Sequence, residues 1–314
     1  MTPTPSVSFV VVNWNGRHHL QECLPSIQNQ SFKDFEIFVV DNGSHDDSVA
    51  FVKENFSGIH LIQLEKNEGF AEPNNIAFRA AHGKWIATVN NDMILDERWL
   101  ENLLAATEMH PHCFSVQGTI LRSDDRTTVD SCGLGIRACG AARNLFHNRN
   151  IAEITNSVRS IFAASAGAAI FNKELLRQFG GFDPTYFAYY EDLDTGWKSR
   201  INGLESFWVP QALAYHKVHG TSTKLSSDSL WFLSERNRLR TIAKNLPFRT
   251  LSASVVLDEL RYVDMIRSKA GWGVLMKARW QFLKEFFSLI KQRPAALKKI
   301  TKEDWKKWLE ISKE

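Results

Sequence analysis

Cysteine is scarce and poorly placed for chemistry. The four thiols, Cys23, Cys113, Cys132 and Cys139, show none of the spacings of a zinc site or a redox pair. They read as reduced thiols of a cytoplasmic protein. Long apolar runs are also missing. No window holds eighteen uncharged apolar residues, so no spanning helix is expected. No basic region precedes the first apolar run, and Ser6–Val12 reads as a strand rather than a signal peptide. Neither a GxGxxG loop nor a P-loop follows Val12, which counts against a dinucleotide oxidoreductase or a P-loop enzyme. A large net charge is absent as well. The 38 Lys and Arg against 35 Asp and Glu leave +3, too little to imply a nucleic-acid partner.

What is present is globular. A chain of 314 residues, 44% hydrophobic and 23% charged, fits one large or two ordinary domains and excludes a disordered or fibrous protein. The charge is uneven. Residues 1–227 carry a net of −6, and residues 228–314 a net of +9 with five of the ten Trp. This contrast predicts a division of labour between 1–227 and 228–314.

The first part alternates strand and helix signals. Val7–Val12 is a largely β-branched run, as in a strand buried on both faces. A helix follows to about Asn29, then a strand at Phe35–Val40 and a helix to Asn55 capped by Asp46 or Asp47. Further strands are predicted at Ile59–Leu64 and Lys84–Val89, with a helix over Pro73–Ala81 between them. Such alternation predicts a mostly parallel sheet flanked by helices, and these sheets bind ligands beyond the carboxyl ends of their strands. Three polar clusters fall there: Asn13–Asn15, Asp41–Ser44 and Asn90–Asp92. Residues 122–160, rich in Arg, Asp, Asn and Gly, give no clear element. Ser160–Phe171 reads as a small-residue strand or turn, and Glu191 to about Asn202 as a helix stopped by Gly203. Two short strands are expected at Ser206–Val209 and Ala212–Val218. Helix then runs from Asp228 almost to the end, with breaks near Pro247 and Pro294.

The chemistry-bearing candidates each admit two readings on spacing alone. Asp41 is either an Asx turn after a strand or an acceptor for a nucleobase or ribose. Asp92 is either a cap or an oxygen ligand for Mg²⁺ or Mn²⁺, although Asp96 fits the cap better. Glu191, Asp192 and Asp194 favour the positive end of a helix dipole, and they also follow the aromatic run Tyr186–Tyr190, which suits a general base. His216 and His219, before Gly220–Thr223, are structural or touch a metal or phosphate.

Taken in order, these segments resemble family 2 glycosyltransferases, inverting enzymes of the GT-A fold, and most closely the bacterial rhamnosyltransferase type. The resemblance runs from Ser6 to Thr223. It rests on Val10–Gly16, Val39–Ser44, Asn67–Ala71 with Asn74–Asn75, Val89–Asp92, Gly180–Asp183 with Tyr189–Asp194, and His216. It implies a nucleotide pocket from Asn13, Asn15, Asp41, Asn42, Gly43, Asn67, Gly69, Asn74 and Asn90. It implies a divalent ion, Mg²⁺ or Mn²⁺, at Asp92 with His216, and Asp192 as the base, its site shaped by Glu191 and Asp194. The family's metal segment commonly has two acidic residues separated by one; here the first is Asn90. A single carboxylate implies a water-rich site that keeps its metal only with donor bound. Glu72–Pro73 replaces smaller residues and alters the sugar pocket.

The basic part interleaves Trp231, Trp272, Trp280, Trp305 and Trp308 with Lys and Arg. Residues 228–262 are expected to pack on the catalytic part, and 270–314 to contact a membrane surface. An oligomer through these helices is a further option. The expectation is therefore a cytoplasmic enzyme, peripheral on the inner face of the cell membrane. It would move a sugar from a nucleoside-diphosphate donor, with dTDP-rhamnose as first choice, to a glycan or lipid-linked acceptor of a bacterial surface polysaccharide. A sugar-phosphate nucleotidyltransferase and a silent membrane scaffold are the rival readings.

Overall fold

A computed structural model describes residues 4–217, 226–250 and 252–313. His219 and the Gly220–Thr223 segment lie outside the described residues, as does Val218. The elements run β1 Val7–Asn13, α1 Arg17–Gln28, β2 Phe35–Asp41, α2 Ser48–Asn55, β3 His60–Gln63, α3 Ala71–Ala80 and β4 Trp85–Val89. Then come β5 Met93–Leu95, α4 Trp99–Met109, β6 Cys113–Arg122, β7 Val129–Ser131, β8 Leu134–Ile136 and β9 Ala142–Asn144. β10 Arg159–Ile161, β11 Ala168–Asn172, α5 Lys173–Gln178, α6 Glu191–Ile201 and β12 Glu205–His216 complete the α/β part. The helical extension comprises α7 Ser227–Asn245, α8 Ala253–Lys291 and α9 Lys302–Ile311.

The main sheet has the order β10-β12-β6-β11-β4-β1-β2-β3. β4, β1, β2 and β3 are parallel, so their carboxyl ends share one edge; Asn13 lies opposite Asp41 in register. β11 runs antiparallel between β4 and β6, whereas β6 and β12 are parallel. Alternation along β1 explains the layering. Phe9 and Val11 face a core with Leu20, Leu24, Val52 and Trp99, while Val10 faces the opposite core with Ala77, Phe78 and Leu176. A third core joins Trp197 of α6 to Leu134, Ile136, Trp305 and Trp308.

The structure departs from the sequence reading in several places. Ser160–Phe171 holds two strands, β10 and β11, which do not pair with each other. The two strands expected at 206–218 are one strand, β12, whose register shifts between Val209 and Leu213. Gly118 admits that bulge, because a Cβ there would sit 1.8 Å from the Ala212 carbonyl oxygen. Residues 122–160 form β7 and the β8–β9 hairpin.

α8 breaks at Gly271, where φ is 76° and ψ is 170°. Arg279 nevertheless meets Glu259 at 2.6 Å. In a straight helix the twenty-residue separation would span about 30 Å, so the two arms fold back on each other. Tyr262, Ile266 and Leu275 fill the angle. Membrane contact over 270–314 fails for α9: Trp305 and Trp308 are buried beside Trp197 and Phe162. Their hydrophobic surface is satisfied by the catalytic part.

Candidate active site

The three polar clusters meet at the shared edge of β1, β2 and β4, held by amide hydrogen bonds. Asn13 donates through Nδ2 to Asp41 Oδ1 and to Ser44 Oγ, both at 3.3 Å. Its Oδ1 accepts from Asn91 Nδ2 at 2.8 Å. The Ser44 N–H donates to Asp41 Oδ2 at 3.0 Å, so Asp41 does close a turn. Asn15, left-handed at φ 51°, donates its N–H to Ser44 Oγ and accepts from the His45 N–H. Asn42 donates to Gly69 O at 2.6 Å and Asn67 Oδ1 at 3.0 Å, and accepts from the Glu68 N–H. Asn74 donates back to Phe70 O. Asn13, Asn42, Asn67 and Asn74 thus use their side chains to fix the loops at this edge.

Glycine is required where these loops cross. A Cβ on Gly43 (φ 73°) would lie 2.6 Å from the Lys66 Cα. On Gly69 (φ 87°) it would lie 2.3 Å from Phe187 O. The Phe70 N–H donates to that same oxygen at 2.5 Å, so the loop before α3 touches the aromatic run Tyr186–Tyr190.

Asp92, buried just past β4, has Oδ2 3.6 Å from His216 Nε2 at the end of β12. His216 Nδ1 lies 2.9 Å from Asp130 Oδ2 on β7. Burial disfavours the imidazolium, but the hydrogen bonds and charges of Asp130 and Asp92 outweigh it and raise the pKa to about 9. Asp130 comes from the unassigned 122–160 segment. No local motif marks it; only the pairing of β7 with β6, next to β12, brings it here.

The donor set suits a hard divalent cation in part. Asp92 offers an oxygen, His216 a nitrogen once a metal displaces its Nε2 proton, and the buried Asn90 Oδ1 has no hydrogen-bond partner in the protein. Among the described residues no three His, Cys, Asp or Glu side chains form a self-sufficient metal cage. The residues therefore fit an ion whose remaining ligands come from elsewhere, such as a diphosphate and water.

In the segment before α6, Phe187, Tyr189 and Tyr190 have φ of 65°, 69° and 77°. Such non-glycine residues persist only when the surroundings hold them. Asn237 of α7 does so. Its Nδ2 donates to Tyr186 O, Ala188 O and Tyr189 O at 3.0, 2.8 and 2.8 Å. α6 begins directly after the strained segment. Asp192 is half-buried, and its carboxylate accepts from the Ala166 N–H at 3.0 Å and its neighbour Leu193 N–H at 2.7 Å. Burial raises its pKa against those hydrogen bonds. Glu191 is raised well above the usual range, first by burial and then by the Asp192 charge.

Asp194 does not join them. It is fully buried and meets Lys198 at 3.1 Å and Lys244 at 2.9 Å, with Asn245 and Tyr186 donating to it. It shapes the site by fastening α6 to α7. At Tyr189, burial first, then the charges of Glu191 and Asp92, raise the phenol pKa.

Metal-type donors and a half-buried carboxylate, gathered near the ends of parallel strands, suit transfer from a nucleotide-bound donor. The family model for glycosyl transferase family 2 matches residues 8–180. The chain belongs to glycosyl transferase family 2. It is similar to an uncharacterised glycosyltransferase of Haemophilus influenzae, 25% identical over 71% of this chain and 68% of that one. It is also similar to the N-acetylglucosaminyl-diphospho-decaprenol L-rhamnosyltransferase of Mycobacterium tuberculosis, 24% identical over 69% of this chain and 78% of that one. Among solved structures, the mannosyltransferase PcManGT of Pyrobaculum calidifontis, in complex with GDP-Man and Mn²⁺, superposes with a TM-score of 0.59 at 17% identity. That match covers 99% of this chain and 85% of the other, and it gives the GT-A fold with its helical extension. This family 2 glycosyltransferase moves sugar from a nucleoside-diphosphate donor to an acceptor.

Proposed function

We propose that the enzyme transfers a hexosyl or rhamnosyl unit with inversion, from a donor such as dTDP-rhamnose to a lipid-linked or glycan acceptor of a bacterial surface polysaccharide. The observation that carries this is the division of the carboxylates. Asp92 lies 3.6 Å from His216, whereas Asp192 stands apart, its carboxylate held by the Ala166 and Leu193 N–H groups. One carboxylate suits the leaving group and the other the attacking hydroxyl.

Asp192 takes the proton of the acceptor hydroxyl as that oxygen bonds to the anomeric carbon. The bond to the diphosphate breaks on the opposite face, so a single displacement inverts the centre. Asp92 and His216, with Asn90, would hold Mg²⁺ or Mn²⁺, which offsets the charge gathering on the diphosphate. Asp41 stands at the nucleobase end, in loops braced by Asn13, Asn15, Asn42, Gly43, Asn67, Gly69 and Asn74. Residues 122–160 contribute to acceptor choice: Asp130 orients His216, and the Ala142 N–H donates to the Tyr190 hydroxyl at 3.2 Å. We place the enzyme at the inner face of the cell membrane, and keep 1–227 as catalytic domain and 228–314 as extension. The Mycobacterium relative's name, with its diphospho-decaprenol acceptor, supports a lipid-linked substrate. Neither the nucleotidyltransferase nor the silent-scaffold reading gains an observation of its own.

The test is a melting-temperature screen with UDP, GDP, dTDP and CDP, with and without Mn²⁺ or Mg²⁺. One diphosphate should raise the melting temperature, more so with metal, and Asp92→Ala should remove the metal increment. In the transfer assay with that nucleotide's sugars, Asp192→Asn should lower kcat by about 10²–10⁴ with the nucleotide shift intact. A wild-type rate in Asp192→Asn would overturn its assignment as base.

A further inference from the structure

The second arm of α8 carries an uncovered apolar stripe. Trp272, Met276, Trp280, Leu283 and Phe287 are 58%, 58%, 62%, 58% and 79% exposed. Their spacing of four, four, three and four residues keeps all five within about 80° of arc at 100° per residue. The other face of the arm holds the buried Leu275, Ala278 and Leu289. The stripe is therefore the face left over after the arm has docked on the protein. The first arm adds Val256, Leu257 and Leu260, each more than half exposed. They lie towards the hairpin's open end, on the arm that Arg279 and Glu259 tie to the second.

Charge indicates what covers it. Lys277, Lys284 and Lys291 recur every seven residues and form one exposed row beside the stripe. Residues 272–300 hold seven basic side chains and one acidic one, Glu285, which is paired with Arg240. Lys284 Nζ lies 5.5 Å from the Trp280 ring centroid, so its stem follows the aromatic surface towards the stripe's edge. A second copy of this basic face would repel the first. An anionic bilayer complements both parts, with Trp, Met, Leu and Phe at the acyl boundary and lysines at the phosphates. Among the described residues no helix is long and apolar enough to cross a membrane, which fits an arm that lies on the surface.

We infer that the α8 hairpin, chiefly Trp272–Phe287, docks the enzyme on an anionic lipid surface. The inference sharpens the membrane placement proposed above and excludes α9 from the contact. Docking does not use the nucleotide pocket, so the two readings fail separately.

The full chain would be sedimented with vesicles of phosphatidylcholine alone and of equimolar phosphatidylcholine and phosphatidylglycerol. It should pellet with the mixed vesicles and stay in solution with the neutral ones. Trp280→Glu with Phe287→Glu should weaken partition by more than about tenfold. Lys277→Gln, Lys284→Gln and Lys291→Gln together should weaken it on the order of a hundredfold and flatten its salt dependence. A melting temperature of the protein alone, unchanged in both variants, would show that they fold. Failure of the wild type to pellet, or equal binding by either folded variant, would overturn the inference. So would a dimer in lipid-free solution that Trp280→Glu with Phe287→Glu dissociates, since the stripe would then be covered by a second copy.

Discussion

Replacing Asn237 with alanine removes one amide from beneath the strained loop. That amide is fully buried and faces three carbonyls, those of Tyr186, Ala188 and Tyr189. Its orientation is fixed, because Asn237 Oδ1 accepts from Arg236 Nε at 3.0 Å and leaves Nδ2 to face the loop. Tyr186 O keeps a donor in Arg236 Nη2 at 2.9 Å, so two carbonyls, those of Ala188 and Tyr189, lose their side-chain donor, at about 1–3 kcal/mol each. The left-handed residues Phe187, Tyr189 and Tyr190 add strain of about 1–3 kcal/mol each that the loop relieves by relaxing. Because relaxation recovers part of the loss, the total should be about 2–4 kcal/mol, divided between stability and catalysis. Asp192 follows the loop by two residues, so a relaxed loop misplaces it. We expect Asn237→Ala to lower kcat by about ten- to a hundredfold, with the nucleotide melting shift retained. Asn237→Asp should be worse than alanine, since a carboxylate would oppose the same carbonyls. The assay is steady-state transfer alongside urea unfolding. If Asn237→Ala kept both kcat and its unfolding midpoint, the amide would not be holding the loop.

Two other perturbations follow from the same geometry. Asp130→Asn should leave Asp92 and His216 in place but loosen the imidazole, lowering metal affinity by about 10–100-fold; Mn²⁺ titration of the nucleotide melting shift reads this, and an unchanged midpoint refutes it. Asp194→Asn would leave Lys198 and Lys244 facing a neutral amide, at a cost of about 3–5 kcal/mol in urea unfolding at neutral pH. Burial disfavours the Asp194 carboxylate, but Lys198 and Lys244 hold its pKa well below the usual range. The wild-type contribution is therefore full above about pH 4 and fades as pH falls through the folded value. Lys244 runs the other way: burial disfavours its ammonium, but Asp194 raises its pKa. Its contribution is full below about pH 10 and fades only as pH rises beyond that. Asp194→Asn should thus flatten the acid limb of stability, and an unaltered limb would count against the pair.

The nucleotide half was legible because its determinants are local. β1, β2 and β4 are short apolar runs, and the residues that close their loops follow immediately in sequence. The rest depends on distant partners. β11 lies antiparallel between β4 and β6 through long-range register, which no local run of Ala and Ile encodes. The bulge in β12 needs Gly118 from another strand. Asp130 and Asn237 sit in unremarkable segments and gain their roles only from what they face. Trp305 and Trp308 share their basic, Trp-rich context with Trp272 and Trp280. The sequence pattern could not separate a tryptophan filling a core from one left in solvent.

The division of charge at residue 227 points to two jobs, yet α7 serves both. Asn237, Thr241 and Lys244 lie on one face of that helix, bound to Tyr186, the strained loop, Asp183 and Asp194. Glu235 and Arg238 lie on another, paired with Arg279 and Glu259 of the α8 hairpin. Arg238 is fully buried, and the four charges of that second group balance. Ion pairs so buried contribute little net stability, but they are costly to break one partner at a time, and so they oppose a shift in register. The hairpin and the loop before Asp192 are therefore fixed to the same nineteen-residue helix. If the hairpin rests on lipid, that helix sets the height and direction from which Asp192 meets an acceptor hydroxyl presented at the surface. Cutting the chain after residue 227 should then cost more than membrane affinity. The left-handed loop would lose the amide that holds it, and the remaining α/β part should fail in transfer even to an acceptor offered in solution.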